Sequence, residues 1–262
     1  MLEVPESISA PSQTSGKTRK VRDVFENVPS YVNGRQLDIR MRVATVKEWT
    51  ASVRWQRLLD IGCGSGAISL PLLSPASHLT LLDLSESMLA TARASVPESM
   101  AGNIETRNED FMAATFDAQS FDLIVCVGVL AHVDSPAEFI SKIARVLCPG
   151  GTLILAFTDS KHFVGRLARL TGWLKELVAP AKYPVNILSF ADVAQILSRN
   201  HLKLVSKFRY AENVVPGIEK IVPPGTIFDL SQLVFGTCTK SRNAWLGNEY
   251  ICRLTLDQNA SI

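Results

Sequence analysis

A chain of 262 residues, 47% hydrophobic and 20% charged, carries enough apolar material for one large domain around a substantial core, which excludes disorder as its main state. Its 27 Lys and Arg against 25 Asp and Glu leave a net charge of +2, so no whole-chain electrostatic pull toward nucleic acid or membrane exists. Cys63, Cys126, Cys148, Cys238 and Cys252 form no CxxC pair and no ligand set with histidine, which argues against a disulfide framework and a metal site and fits the reducing cytoplasm.

Residues 1–20, rich in Ser, Pro, Thr and Lys, predict a disordered polar tail. The opening residues are acidic where a secretory signal is basic, and no run reaches the ~18 apolar residues of a membrane span. Residues 21–54 form a helical cover in which Leu37 to Trp49 places apolar residues at helical intervals. From residue 55 to 157, short apolar runs alternate with helical patterns: strand RLLDI, helix Ser65 to Leu73, strand HLTLLD, helix SESMLATARASV, a short strand at NIETRN, strand FDLIVCV, helix PAEFISKIARVL and strand GTLILAF. Such alternation implies right-handed crossovers and a parallel sheet covered on both faces. Ser85 is a plausible N-cap, and Ser135 followed by Pro136 and Glu138 starts another helix.

After residue 157 the rhythm breaks. A lid insertion at 158–188 holds an apolar stripe beside a local excess of positive charge between Lys161 and Lys182, a pattern that suits an acceptor cover, a subunit interface or a peripheral membrane contact. Residues 189–262 complete the domain with a Ser189-capped helix, a strand HLKLVSKFRY, an insertion at 211–247 and a last strand NEYICRLTL.

The first strand ends in Asp60 and runs into Gly62, Gly64 and Gly66. Glycine removes the Cβ that blocks close approach of a ligand, and a helix starting there presents free N–H groups. With Ala67 the loop also satisfies a dinucleotide-binding pattern, with Asp83 at the spacing of a ribose-binding acid, so a nicotinamide-dependent oxidoreductase stays open. Asp60 weighs against a pyrophosphate by like-charge repulsion and favours a ligand bearing an ammonium group.

Together LLDIGCGSG, LTLLDLS, NEDF, FDLIVCVGVLAHV and RVLCPGGTLIL resemble, in order, the motifs of the class I methyltransferases dependent on S-adenosyl-L-methionine (SAM), in their small-molecule branch. The resemblance implies an α/β, Rossmann-like, seven-stranded, mostly parallel sheet with the last strand antiparallel, helices on both faces and acceptor-side insertions. It also implies SAM as cofactor, with S-adenosyl-L-homocysteine (SAH) as product. Asp60 and the loop Gly62, Cys63, Gly64, Ser65 and Gly66 would hold the methionine end, although Cys63 alone reads as packing. Asp83 would take the ribose and Leu84 and Met88 the adenine face. Glu109, Asp110 and Phe111 would contact the adenine, and Val127, Gly128 and Val129 would line the pocket near the sulfonium.

His132, at the carboxyl edge of the sheet, is the candidate general base for a hydroxyl acceptor. Tyr31 and Arg35 are candidates to close over the cofactor or acceptor, and Asp159 and His162 to face the acceptor. No NPPY or DPPY follows the fourth strand and no RNA-binding module is recognisable. The expectation is therefore methyl transfer to O or N of a small apolar or aromatic metabolite by a cytoplasmic monomer or homodimer. A tRNA or protein methyltransferase and an inactive SAM-binding paralogue are the remaining alternatives.

Overall fold

A computed structural model describes residues 16–26, 36–163, 166, 184–211 and 222–258. Its helices and strands, in chain order, are α1 (Gly16–Phe25), α2 (Gln36–Thr50), β1 (Arg57–Ile61), β2 (His78–Asp83), α3 (Glu86–Ala94), β3 (Ile104–Asn108) and β4 (Phe121–Val127). There follow α4 (Pro136–Val146), β5 (Leu147–Thr158), α5 (Phe190–Arg199), β6 (Leu202–Tyr210), α6 (Pro224–Phe235) and β7 (Glu249–Leu256). The seven strands form one sheet in the order β3-β2-β1-β4-β5-β7-β6. β7 is antiparallel to both β5 and β6, whereas the pairs from β3 across to β5 are parallel. The expected architecture is the one observed.

Period-two alternation in buried strands divides the core cleanly. Leu59, Ile61, Ile124, Cys126 and Leu155 face α4 and α5, packing on Phe139, Ile140, Ile143, Val193 and Leu197. Their neighbours Leu58, Leu123, Val125, Ile154 and Ala156 face the other way, onto Met41, Val46 and Trp49 of α2, Leu89 and Ala92 of α3 and Phe235 of α6. The sheet thus has helices on both faces, and its carboxyl edge between β1, β2 and β4 is left to the loops.

The helix starts follow local chemistry. Ser85 Oγ accepts from the Met88 N–H and Ser135 Oγ from the Glu138 N–H. At α5 the Ser189 and Asp192 side chains form a full capping box, satisfying two end groups at once.

Four differences from the sequence reading stand out. Residues 16–20 belong to α1 and not to a disordered tail. The helix expected over Ser65 to Leu73 is a set of turns ending in a 3-10 helix, Leu70–Leu72. Pro71 is the physical reason, because it carries no N–H to continue the ladder past the bond from Leu70 N–H to Gly66 O. The Cys148–Gly151 turn is already part of β5, whose pairing with β4 begins at Leu147 against Phe121 and shifts register before Thr152. In the 211–247 insertion, α6 packs on α2 and β6 and lines no part of the cavity described below. Of the predicted lid helix at 161–180, residues 164–165 and 167–180 lie outside the described residues, as do Tyr31 and Arg35.

Candidate active site

At the carboxyl ends of β1, β2 and β4 lies a cavity of about 270 Å³, in the crevice where open α/β sheets bind their ligands. Gly62 and Gly64 form one wall. Gly62 has φ +69°, and a Cβ there would stand 2.4 Å from Val129 Cγ2, so only glycine lets the loop and the β4 turn close on the same space.

The loop donors are already spent within the protein. The Gly62 and Cys63 N–H groups donate to Leu82 O at 2.8 and 3.1 Å, and Gly66 N–H to Cys63 O at 2.9 Å. Gly64 N–H donates to Asp83 Oδ2 at 2.7 Å. A pyrophosphate cradle needs such donors free at a helix start, and here both the helix and these free donors are missing. With the N–H groups of Gly62, Cys63, Gly64 and Gly66 bonded within the protein, the loop weighs against the oxidoreductase alternative.

Asp83, at the end of β2, accepts from Gly64 on one oxygen and from Ser85 N–H at 2.9 Å on the other. It therefore fastens the glycine loop and starts α3 while facing the cavity. Burial lifts its carboxyl above the ordinary range, with the backbone donors of Ser85, Gly64 and Leu84 pulling the other way and the Glu26 charge adding to the rise. Each carboxylate oxygen accepts more than one bond, so the ribose role expected of Asp83 is compatible with both contacts.

The far end of the cavity is built by Leu84, Met88, Glu109, Asp110, Phe111 and Met112. Asp110 Oδ1 accepts from Met112 N–H at 2.9 Å and Oδ2 from the Thr18 hydroxyl at 3.2 Å. Phe111 is buried, edge-on to Phe139 with ring centroids 5.1 Å apart, giving a firm apolar floor beside a carboxylate. Val127, Gly128, Val129 and His132 bring in the β4 side, continued by Val133, Asp134, Ser135 and Glu138. Among the described residues the wall thus carries five carboxylates, Asp83, Glu109, Asp110, Asp134 and Glu138, against one guanidinium, that of Arg22, an environment suited to a positively charged ligand.

Four of the loop and strand residues expected at the site, Asp60, Cys63, Ser65 and Gly66, are not among the residues that line this cavity. Ile61 faces the cavity, so strand alternation turns Asp60 to the opposite side of β1, where it is 2% exposed and its Oδ2 has no hydrogen-bond partner. Burial raises its pKa to about 7, with the Ser69 hydroxyl opposing and the Asp83 charge adding to the rise. Cys63 packs in the core beneath the loop, consistent with its reading as packing, and its raised thiol pKa comes first from burial. Ser65 and Gly66 lie outside the lining; the Cβ position of Gly66 points at Leu70 and Ala92.

Asp159 is likewise engaged within the protein. Its Oδ1 accepts from the Lys161 and His162 N–H groups and its Oδ2 from Phe190 N–H, closing the turn after β5. Neither it nor His162 lines the cavity. Of the basic lid, Lys161 pairs with Asp192 at 2.8 Å, and the remainder lies outside the described residues except Arg166.

Sequence reasoning passed over α1. Thr18, Val21 and Arg22 line the cavity, and hydrogen bonds hold the helix and the residue after it across the site, among them Lys17 Nζ to Val133 O at 2.7 Å, Thr18 to Asp110, and Ser87 Oγ to Glu26 Oε2 at 2.8 Å. Val21 and Phe25 at helical spacing in a basic run were the available signal. SAM fits this donor set. Gly62 and Gly64 form one wall, Asp83 and Asp110 offer acceptors, Met88 and Phe111 are apolar, and the net negative wall suits a sulfonium.

Comparison with known proteins agrees. Residues 59–155 match a family model described as a methyltransferase domain. The chain is 31% identical over 157 residues to a ubiquinone biosynthesis O-methyltransferase of Coxiella burnetii, covering 59% of this chain and 63% of the relative. It therefore spans just under two thirds of that relative's length. A demethylmenaquinone methyltransferase of Listeria welshimeri is 31% identical over 160 residues, covering 58% of this chain and 68% of the relative. The fold matches that of magnesium protoporphyrin IX methyltransferase from Synechocystis PCC 6803 with bound SAH, at TM-score 0.61, 17% identity, and coverage of 92% of this chain and all of the other. With a glycine loop whose donors are closed off, acids at the ends of β2 and β3, and this length of shared sequence, the chain belongs to the class I SAM-dependent methyltransferases.

Proposed function

We propose that the protein transfers the methyl group of SAM to an oxygen or nitrogen of a small, apolar or aromatic acceptor. The observation that carries this reading is one cavity in which the glycine loop, Asp83, Asp110 and His132 converge. SAM supplies a methyl group on a positively charged sulfonium, already activated toward in-line displacement. Gly62 and Gly64 admit the methionine end, Asp83 holds the ribose hydroxyls, and Asp110 with Phe111 positions the adenine. The acids of the wall favour the cationic cofactor over neutral competitors.

The remaining task is to place a nucleophile in line, which accounts for much of the acceleration in such transfers. His132, on the turn after β4, is the group on the cavity wall suited to accept the proton of an acceptor hydroxyl. The names of the Coxiella and Listeria relatives support a quinone-type or similarly apolar acceptor. No helix among the described residues is long and apolar enough to cross a membrane, and all five cysteines are free; we read the setting as the cytoplasm and the working unit as a monomer or homodimer.

Calorimetric titration with SAM, SAH and NADH, each alone, tests the cofactor assignment. Micromolar binding of the first two without the third is expected, and binding of NADH alone would overturn it. A labelled-methyl screen of metabolite extracts then identifies the acceptor. With that acceptor, His132→Ala is expected to lower turnover by roughly 10² to 10⁴-fold while SAM affinity changes little; a small kinetic effect would remove His132 from the chemistry.

A further inference from the structure

One carbonyl oxygen in this molecule receives two side chains from opposite ends of the chain. Val133 O, in the turn that carries His132, accepts from Lys17 Nζ of α1 at 2.7 Å and from Asn186 Nδ2 at 2.7 Å. Asn186 also donates through Nδ2 to Leu130 O at 3.1 Å and through its backbone N–H to Ala131 O at 2.8 Å. Three of the four carbonyls between Leu130 and Val133 are thus held by a single residue, while His132 N–H closes the turn on Val129 O at 2.8 Å.

Thr18, next to Lys17, and His132 and Val133 line the same cavity, so a ligand filling it presses on α1 and on the turn together. Asn186 is on neither. It sits in the stretch before α5, whose Leu188 O accepts from Ser160 N–H at 2.9 Å after β5, outside the lining of the cavity.

We propose that Lys17 and Asn186 are positioning residues that grip the His132 turn from the cofactor side and the acceptor side and couple the two. This rests on the cavity being the cofactor site. A carbonyl with two donors at good distance is fixed in direction, and a segment that both sites bias is what energetic coupling between them requires. Filling the cofactor cavity then orders residues 184–189 before an acceptor arrives.

The test is hydrogen–deuterium exchange of the full chain with and without SAH, in the wild type, Lys17→Met and Asn186→Ala. In the wild type, SAH is expected to slow exchange about tenfold at both 130–133 and 184–189. In Asn186→Ala, protection at 130–133 is expected to persist and that at 184–189 to vanish. Lys17→Met reads the same coupling from the other flank, and is expected to keep SAH binding while losing protection at 184–189. A merely structural role changes exchange equally with and without SAH. Binding of SAH that protects 130–133 alone in the wild type, or 184–189 undiminished in both variants, would overturn this proposal and leave the cofactor reading intact. Failure of the wild type to bind SAH would overturn both.

Discussion

At the scale of single residues, Asp83 does three things with one carboxylate: it holds Gly64, starts α3 through Ser85 and faces the cavity. Asparagine in its place offers one acceptor oxygen where two backbone donors converge, and its amide group opposes one of them. We expect Asp83→Asn to weaken SAH binding about 10 to 100-fold, the equivalent of ~1 to 3 kcal/mol for charge-assisted bonds lost at one site, as read by calorimetry. Unchanged affinity would assign Asp83 to the helix start alone. Its place on the cavity wall was legible because the acid closing the second strand of such an α/β pattern lies at the carboxyl edge of the sheet. Asp60 was not, since placing it required knowing which face of β1 looks into the cavity, and a five-residue buried strand is apolar on both faces. Thr18 was invisible for another reason: it meets Asp110 across 92 residues of chain, and no local pattern encodes such a meeting.

At the scale of elements, the strands and α3, α4 and α5 were readable because each is set by short-range chemistry: an apolar run, a serine cap, a proline at the first helical position. The Ser65–Leu73 stretch failed where one residue, Pro71, outweighs the periodicity around it. For α2 the sequence showed a helix but not what it buries. Asp38 and Arg42, one turn apart, pair at 2.7 Å, with Glu249 of β7 at 3.6 Å from the same guanidinium nitrogen. The Tyr210 hydroxyl donates to Asp38, its own titration driven well up by burial and the Asp38 charge. The Arg42 guanidinium also lies 3.4 Å from the Cβ position of Gly128, so this buried cluster fastens α2 and the β6-β7 edge behind the cavity wall. Removing its cation takes the Arg42 charge away from two buried carboxylates. Arg42→Met is expected to cost about 3 to 5 kcal/mol in urea unfolding, and Arg42→Met combined with Asp38→Asn and Glu249→Gln to recover a good part of it. A loss below ~1 kcal/mol in the single variant, the size of an exposed pair, would show the cluster to be dispensable.

At the scale of the whole molecule, the loops at the carboxyl edge take part in the core, Phe111, Ala114 and Leu130 on one face of the sheet and Cys63 on the other, and Asp60 is buried with them at 2% exposure. Asp60, raised by burial to about 7, keeps its proton in the folded chain up to that pH, whereas the unfolded chain releases it near 3.8, the unperturbed value. Between these two values the folded state binds more protons than the unfolded one, so this group's contribution to stability is fully present below the lower value and is lost as pH rises through the upper. The full span amounts to about 4 kcal/mol at ~1.4 kcal/mol per pKa unit. Asp60→Asn has no proton to release, so the difference in unfolding free energy between variant and wild type should move in the variant's favour from pH 5 to pH 8 and level off above. Urea titrations of both proteins at each pH measure that difference, with every other titrating group common to the two. Parallel stability curves would mean that Asp60 is ionised in the folded protein across this range, held by a counter-charge at the loop, and would return it to the binding role that its position two residues before Gly62 first suggested.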